Sequence, residues 1–329
     1  MRFAVIGSAH GHINQFIKEM LAAGGEFAGV FNDGWDITGK IVEKYGVKLF
    51  DSIEEMFDQG IDIAGTSAVN NKKIDIIEQC AAKGVHIMAD KPIAVNEAQY
   101  ERLEKVVNNA GVQVGLMLTV RFMKEVWTLK KAIDNGKVGK LLSVEILSPH
   151  KLSANKRPGW HFEKEENGGI IIDLMIHSVD LFRWLTGGEI TEYEGVVQKS
   201  ILPEKKTFYD SSQFFVNSSN GVSGYFRVDW HMPESYRTWG DLRIFCTGTK
   251  DCIEARVVGD PLTGKPLFIL FREECGIKGV DTHMPTVSVT RDFLNRIAGK
   301  EYVINHDDIL KASRIVLDFD KKARVISAF

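Results

Sequence analysis

Short runs of apolar residues alternate with helical patterns along the first third of the chain. The runs are nearly continuous rather than alternating, which is typical of parallel strands covered by helices on both faces. The predicted strands are RFAVIG (2–7), EFAGVF (26–31), VKLF (47–50), IDIAGT (61–66), VHIMAD (85–90) and VQVGLML (112–118). The predicted helices cover 12–23, 35–45, a short stretch opening at Asp51 or Ser52, 71–83 and 96–109. This pattern predicts a doubly wound parallel sheet of the α/β class.

The pattern changes after about residue 120. A predicted helix over 121–135 is followed by strands in which apolar and polar residues alternate, as in an antiparallel sheet with one face on helices. These strands are LLSVEILS (141–148), TEYEGVVQ (191–198), QFFVNSS (213–219), GVSGYFRVDW (221–230), LRIFCTG (242–248) and PLFILF (266–271), with a hairpin turn at NSSNG. Further helices are predicted over 168–186, 286–298 and 306–323.

Two domains follow from this change of pattern. We predict a Rossmann-type dinucleotide-binding domain over 1–120 and an α+β domain with a large, mostly antiparallel open sheet over 121–329.

Composition narrows the class of protein. Of the 329 residues, 26% are charged and the net charge is −3, with no lysine- or arginine-rich block, so a nucleic-acid partner is not expected. No segment approaches the roughly 20 apolar residues that span a bilayer, so no membrane partner is expected. The four cysteines lack the CxxC spacing of zinc sites, and the sequence opens on an apolar strand without a leader-like segment. A cytoplasmic location is therefore predicted.

A glycine turn follows the first strand, where a dinucleotide-binding chain places the pyrophosphate on a helix N-terminus. The segment reads GSAHGHI, and the usual G-x-G-x-x-G positions hold Gly7, Ala9 and His12. Only the first glycine is present, and Ala9 is still small enough for close approach to a phosphate. The six-strand pattern around this turn favours dinucleotide binding.

The end of the second strand bears on the choice of cofactor. Asn32 occupies the position where an acidic residue would bind the adenosine ribose, and Asp33 follows it. No lysine or arginine occurs before Lys40 to pair with a 2′-phosphate. NAD is therefore the predicted cofactor, with NADP as the alternative.

Two histidines, His10 and His12, flank a glycine in the same turn. Neither has an acidic or thiol residue beside it in the sequence, and isolated histidines rarely form metal sites. They are interpreted as turn residues, and no metal site is predicted.

The segment IMADKPIA ends the fifth strand, and ligands of open α/β sheets bind outside the carboxyl ends of the strands. Lys91 is therefore expected where a nicotinamide ring would lie, with Asp90 before it and Pro92 stiffening the turn.

The segment GGIIIDLMIHSVDLFRWL (168–185) is apolar on nearly every side, yet it contains Asp173, His177 and Asp180. In an α-helix these residues advance by about 400° and then about 300°, so they share one narrow stripe. Asp173 can then hydrogen-bond His177 and orient it, which is the arrangement of a general base and its positioning carboxylate. The alternative is a structural Asp–His pair in the core.

These segments resemble the glucose-fructose oxidoreductase/inositol dehydrogenase (Gfo/Idh/MocA) family over essentially the whole chain. DKPIA is similar to the family's Glu-Lys-Pro signature, and NGGIIIDLMIH is similar to its Gly-Gly-Gly-x-x-x-Asp-x-x-x-His segment. TVRF (119–122) and RPGWHF (157–162) also resemble family segments. Two departures are the altered glycine turn and TSAVNNKK (66–73), where Asn70 remains and Lys73 stands at a histidine position.

The resemblance implies NAD(P)-dependent oxidation of a secondary alcohol on a sugar, cyclitol or sugar derivative, and a homodimer or homotetramer formed through the open sheet face. Oxidising a hydroxyl needs a base and a cation that stabilises the alkoxide, so His177, oriented by Asp173, and Lys91 are the expected catalytic residues. Substrate-binding residues are expected to be Lys91, Arg121, Trp160, His161, Asp173 and His177. Cofactor-binding residues are expected to be Gly7, Ser8, Ala9, His10, Asn32, Asp33, Thr66, Ser67, Asn70, Asp90, Lys91, Pro92 and Arg121.

Two other functions stay open at this point, and the first of them would use the same base and lysine. Some relatives oxidise a sugar transiently with bound NAD, eliminate or invert a substituent, and then reduce the sugar again, which gives a glycosidase or an epimerase. A non-catalytic ligand sensor would keep the fold without the chemistry.

Overall fold

The structure is a computed structural model that describes residues 1–32, 37–257, 260, 262–263, 265, 267–272 and 276–329. The predicted cofactor residue Asp33, the first two positions of the predicted helix 35–45 and Pro266 of a predicted strand lie outside these residues.

The described residues form fifteen strands and ten α-helices. The strands are β1 (Arg2–Ser8), β2 (Glu26–Phe31), β3 (Lys48–Leu49), β4 (Ile63–Ser67), β5 (His86–Ala89), β6 (Val114–Leu116), β7 (Leu141–Lys151), β8 (Ile190–Lys199), β9 (Ser211–Ser218), β10 (Ser223–Met232), β11 (Arg243–Gly248), β12 (Asp251–Arg256), β13 (Leu267–Arg272), β14 (Gly276–Gly279) and β15 (Arg324–Ser327). The helices are α1 (Ile13–Ala22), α2 (Thr38–Tyr45), α3 (Ile53–Phe57), α4 (Lys73–Ala82), α5 (Glu97–Asn109), α6 (Lys124–Asp134), α7 (Lys164–Asn167), α8 (Ile176–Thr186), α9 (Val289–Ile297) and α10 (His306–Lys322).

The chain divides into two compact units. The first contains residues 1–118, 165–168 and 287–314, and the second contains residues 119–164, 169–286 and 315–329. The predicted domains 1–120 and 121–329 differ from these units in one respect: the segments 165–168 and 287–314 belong to the first unit.

The first unit is built on a six-stranded sheet of order β3-β2-β1-β4-β5-β6, in which every pairing is parallel. Phe3 of β1 packs edge-on against Phe16 of α1, with ring centroids 5.8 Å apart. The strands β1, β4, β5 and β6 are mostly buried because helices cover the sheet, as their apolar sequences predict, whereas the short edge strand β3 is exposed. The carboxyl ends of β1, β4 and β5 therefore meet at one edge of the sheet.

Residues of the segment 287–314 bond β6, the last strand of this sheet. The backbone amide of Val114 in β6 donates to His306 Nε2 at 3.1 Å, and the carbonyl of Val114 accepts from the guanidinium of Arg296. Burial lowers the pKa of His306 to about 4, so the neutral ring is available as an acceptor. These bonds satisfy polar groups at a sheet edge.

The second unit is built on a nine-stranded sheet of order β14-β13-β12-β11-β7-β10-β9-β8-β15. The pairs β7–β10 and β8–β15 are parallel, and the other pairs are antiparallel. Phe182 of α8 packs on Phe226 of β10 at 5.4 Å between ring centroids, which places α8 on one face of the sheet. The predicted fold class, a doubly wound parallel sheet plus a mostly antiparallel sheet, is confirmed.

Most predicted elements are present, with ends shifted by a few residues. The strand 26–31 and the hairpin between β9 and β10 are confirmed, and Ser52 caps α3 by accepting from the amide of Glu55 at 3.0 Å. The strands β12, β14 and β15 were not predicted. Among the described residues, no helix is long and apolar enough to cross a membrane.

Candidate active site

The turn after β1 starts at Gly7, whose backbone φ is +73°. Side chains disfavour this left-handed region, and a Cβ at this position would lie 2.6 Å from the Cβ of Ala68. Only glycine therefore allows this turn to approach the end of β4 so closely.

Hydrogen bonds hold the turn in place from two sides. The amide of His10 donates to the carbonyl of Ser67 at 3.1 Å, and the Ser67 hydroxyl donates to the carbonyl of His10 at 2.7 Å. On the other side, the hydroxyls of Ser8 and Thr38 lie 2.5 Å apart. The backbone of the turn is therefore fixed by the protein itself.

The start of α1 fits the pyrophosphate of a dinucleotide. His12 occupies the N-cap position of α1 but makes no side-chain capping bond to that helix. A helix N-terminus behind a close glycine turn, with no side chain capping its first amides, is suited to an anionic group. Asn32 follows the last residue of β2, at the expected ribose position.

Asp90 lies directly after β5, and its side chain is almost completely buried. Its backbone amide donates to Thr66 at 2.8 Å, and its carboxylate lies 2.9 Å from His12 Nδ1 and 3.5 Å from His10 Nδ1. Burial opposes ionisation of Asp90, but the charges of His12 and Lys73 outweigh it and hold the pKa of Asp90 well below its usual value. Asp90 is therefore a carboxylate at neutral pH.

The loop after Asp90 carries the predicted catalytic lysine. Lys91 is buried, and the peptide bond between Lys91 and Pro92 is cis. The fully buried Lys73 supports this loop, because its ammonium donates to the carbonyls of Lys91 and Pro92, both at 3.2 Å. The same ammonium donates to Asn70 Oδ1 at 2.9 Å, which gives Asn70 a defined orientation.

In the second unit, the segment with Asp173 and His177 is not a regular α-helix throughout. Ile171–Met175 forms a π-helical turn, and α8 follows it. The α-helical angles used for the predicted stripe therefore do not apply across Asp173, and the shared stripe stays a prediction. Such turns within α-helices are frequent at functional sites. Asp173 is buried, and His177 is partly exposed.

The third member of the predicted stripe, Asp180, has a structural partner. Its carboxylate accepts two hydrogen bonds from Arg121, at 2.9 Å from Nε and 2.5 Å from the terminal nitrogen. Both side chains are only 1% exposed, and the Arg121 guanidinium also lies 5.5 Å from the ring of Trp184. The structure therefore places Arg121 in a buried ion pair, while its predicted contacts with cofactor and substrate stay predictions.

An aromatic cluster surrounds the predicted pocket residues Trp160 and His161. The ring of His161 lies 5.3 Å from that of Trp230 and 6.0 Å from that of Trp160. The Nε1 of Trp160 is buried and has no hydrogen-bond partner among the described residues. A buried donor of this kind is costly unless a ligand satisfies it.

Arg157 joins this cluster. Its guanidinium lies 5.0 Å from the ring of Trp230 and 4.9 Å from the ring of Trp239, and its Nε donates to the carbonyl of Leu152 at 3.0 Å. Burial lowers the pKa of Arg157, and the nearby negative charge of Asp173 opposes that decrease. The Arg157 guanidinium therefore lies against two indole rings of this cluster.

The predicted site residues fall into two sets. The first unit brings together Gly7, Ser8, Ala9, His10, Thr66, Ser67, Asn70, Asp90, Lys91 and Pro92 around the carboxyl ends of β1, β4 and β5, with Asn32 after β2. The second unit contains Arg121, Trp160, His161, Asp173 and His177.

Comparison with family models gives two consecutive matches. Residues 1–118 match an oxidoreductase family model with an NAD-binding Rossmann fold, and residues 126–254 match the GFO/IDH/MocA C-terminal domain. The chain belongs to the Gfo/Idh/MocA family. The predicted resemblance, the oxidoreductase class and NAD as the cofactor of the first unit are confirmed.

Known proteins related to this Gfo/Idh/MocA oxidoreductase have modest sequence identity. It is 26% identical over 226 residues to the rhizopine catabolism protein MocA of Rhizobium meliloti, with 68% of each chain covered. It is also 26% identical over 245 residues to an inositol 2-dehydrogenase of that species, with 70% of this chain and 71% of the relative covered. The fold is also similar to the crystal structure of an oxidoreductase from Erwinia carotovora atroseptica SCRI1043. The two sequences are 25% identical, and the alignment covers 99% of both chains with a TM-score of 0.91.

Several residues at these sites were not predicted from the sequence as site residues. His12 contacts Asp90, Lys73 supports the Lys91 loop, and Arg157 and Trp230 flank His161. One signal for Lys73 was present, because it occupies a family histidine position. Arg157 begins the segment RPGWHF, in which only Trp160 and His161 were predicted to bind substrate.

Proposed function

We propose that this protein oxidises a secondary alcohol of a sugar, cyclitol or sugar derivative, with NAD as the hydride acceptor. The observation that carries the proposal is the position of Lys91, a buried lysine two residues after the end of β5 in an NAD-binding sheet. Ligands of such sheets bind outside the carboxyl ends of the strands. The similarity to an inositol 2-dehydrogenase of Rhizobium meliloti supports a cyclitol or sugar substrate.

The reaction breaks a C–H and an O–H bond of the substrate and forms a C=O bond. Bound NAD would supply the hydride acceptor for the carbon that carries the hydroxyl. His177 takes the hydroxyl proton, and Asp173 orients the imidazole. Lys91 stabilises the negative charge that develops on the oxygen. The buried Lys73 holds the backbone of the Lys91 loop in the required position.

The second unit offers suitable groups for a polyol. The aromatic faces of Trp160 and Trp230 suit the C–H surface of a sugar or cyclitol ring. The buried Nε1 of Trp160 can donate to a substrate hydroxyl, and the guanidinium of Arg157 adds further donors.

A substrate screen tests the proposed reaction. Inositols, aldoses and sugar acids are each incubated with NAD or NADP, and absorbance is followed at the reduced nicotinamide band. We expect net NADH formation with at least one polyol, and weaker activity with NADP because Asn32 is not followed by a cation before Lys40. Cleavage or epimerisation without net NADH would instead support the redox-cycling alternative, and binding without any conversion would support a sensor.

We expect Trp160→Phe to raise KM about three- to tenfold for the substrate that the screen identifies, with a smaller effect on kcat. The phenyl ring keeps the apolar face but removes a hydrogen-bond donor that is worth about 0.5–1.5 kcal/mol. Steady-state kinetics measure both constants. Trp127→Phe is the matched control, because the Nε1 of Trp127 is also buried without a hydrogen-bond partner among the described residues, but Trp127 lies on α6. Equal KM values for both variants would contradict the proposed contact.

The open face of the nine-stranded sheet is proposed to pack against another subunit. Phe215 of β9 and Ile277 of β14 are 67% and 72% exposed, and pairing places Tyr225 beside Phe215. An exposed apolar face of this kind is typical of an interface. We expect a dimer or tetramer by light scattering at micromolar concentration, and Phe215→Glu should shift the population towards monomer. A wild-type monomer would contradict the proposal.

A further inference from the structure

The turn after β1 and the loop after β5 bring together two imidazoles and one carboxylate. The ligand atoms of His10, His12 and Asp90 all lie within 4.8 Å of one another. His12 Nδ1 lies 2.9 Å from one carboxylate oxygen of Asp90, and His10 Nδ1 lies 3.5 Å from the other. Neither histidine has an acidic neighbour in the sequence, but the fold supplies Asp90 from 78 residues beyond His12, contrary to the prediction that this turn forms no metal site.

We propose that His10, His12 and Asp90 form a binding site for a divalent transition-metal ion of the Zn²⁺ type. Two imidazole nitrogens and a carboxylate oxygen are ligands that zinc accepts in catalytic sites, where a fourth position is left for water or a ligand. Carboxylate and imidazole together also suit Co²⁺ and Ni²⁺.

The distances and the exposure of the side chains are compatible with such an ion. Metal–ligand bonds of about 2.1 Å in a tetrahedron put neighbouring ligand atoms about 3.4 Å apart. The separations of 2.9 Å and 3.5 Å from Asp90 lie on either side of this value, and the ligand atoms of His10 and His12 lie within 4.8 Å of each other. The imidazoles of His12 and His10 are 49% and 32% exposed, so they can adjust and an ion can enter from solvent, while the carboxylate is buried and fixed.

The surroundings of the cluster hold its backbone in place. Ser67 bonds both the amide and the carbonyl of His10, and the amide of Asp90 donates to Thr66. Both of these partners belong to β4, so the two loops that carry the ligands are attached to one strand. A site whose ligands are already positioned loses less conformational freedom on binding an ion.

Metal binding is measured on the 329-residue chain after treatment with a chelator and gel filtration, without NAD or substrate. Zn²⁺ is titrated by calorimetry, and Co²⁺ is titrated by its visible d–d absorption. We expect one ion per chain with micromolar or tighter affinity, and a Co²⁺ spectrum typical of nitrogen and oxygen ligands. His12→Gln and His10→Gln should each weaken binding at least about tenfold, which corresponds to about 1.4 kcal/mol.

His283→Gln is the matched control, because His283 is exposed and lies in the second unit. Far-ultraviolet circular dichroism shows whether each variant is folded. The proposal is overturned if the wild type binds no ion under these conditions, or if the two cluster variants bind as tightly as His283→Gln. The former result would leave His12 and Asp90 as a hydrogen-bonded pair. Because no step uses oxidoreductase activity, the outcome is independent of the proposed function.

Discussion

Replacing Lys91 with methionine is expected to lower kcat by at least about a hundredfold. Methionine keeps an unbranched side chain but removes the cation that stabilises the developing alkoxide, and loss of one such group typically costs about 10²–10³ in turnover. Lys91 is buried, so its charge acts where water screens it less than at the surface. The measurement is NADH formation at saturating substrate, with the substrate identified by the screen.

Two controls separate this effect from a loss of structure. Lys83→Met removes an exposed lysine just after α4 in the same unit, and we expect its kcat to stay within about twofold of wild type. Thermal unfolding and binding of NADH are measured for both variants. If Lys91→Met is folded, binds NADH and keeps its turnover, Lys91 has no catalytic role.

The parallel sheet was predictable because its strands carry a strong signal. The run EFAGVF coincides with β2, since a strand buried on both faces requires apolar residues at nearly every position. The strands β12, β14 and β15 gave no such signal. Their sequences DCIEAR, GIKG and RVIS are short and partly polar, and they form strands because neighbouring strands offer hydrogen bonds. Such tertiary pairing overrides local propensity.

The candidate site was predictable only in part. Position at a strand end selected Lys91 and Asp90, but their partners come from other parts of the chain. The contact between His12 and Asp90 depends on the strand order β1-β4-β5, which no local pattern specifies. The π-helical turn at Ile171–Met175 was not predictable from periodicity, because the apolar residues around Asp173 are compatible with any buried helix.

Replacing His177 with alanine is expected to lower kcat/KM by at least about a hundredfold. A positioned general base contributes about 10²–10⁴ to such a reaction. The measurement is kcat/KM at a pH at which the wild type and the variant are both folded.

Chemical rescue distinguishes a base from a structural histidine. Alanine leaves a space, and added imidazole should restore part of the turnover of His177→Ala but none in Lys91→Met. His283→Ala, which removes an exposed histidine of the same unit, should behave as wild type.

The double variant Lys91→Met/His177→Ala adds a further test. The effects of groups that act on one hydroxyl are not additive, so kcat/KM of the double variant should be close to that of the less active single variant. Strictly multiplicative losses, together with no rescue by imidazole, would show that His177 supports the fold rather than the proton transfer.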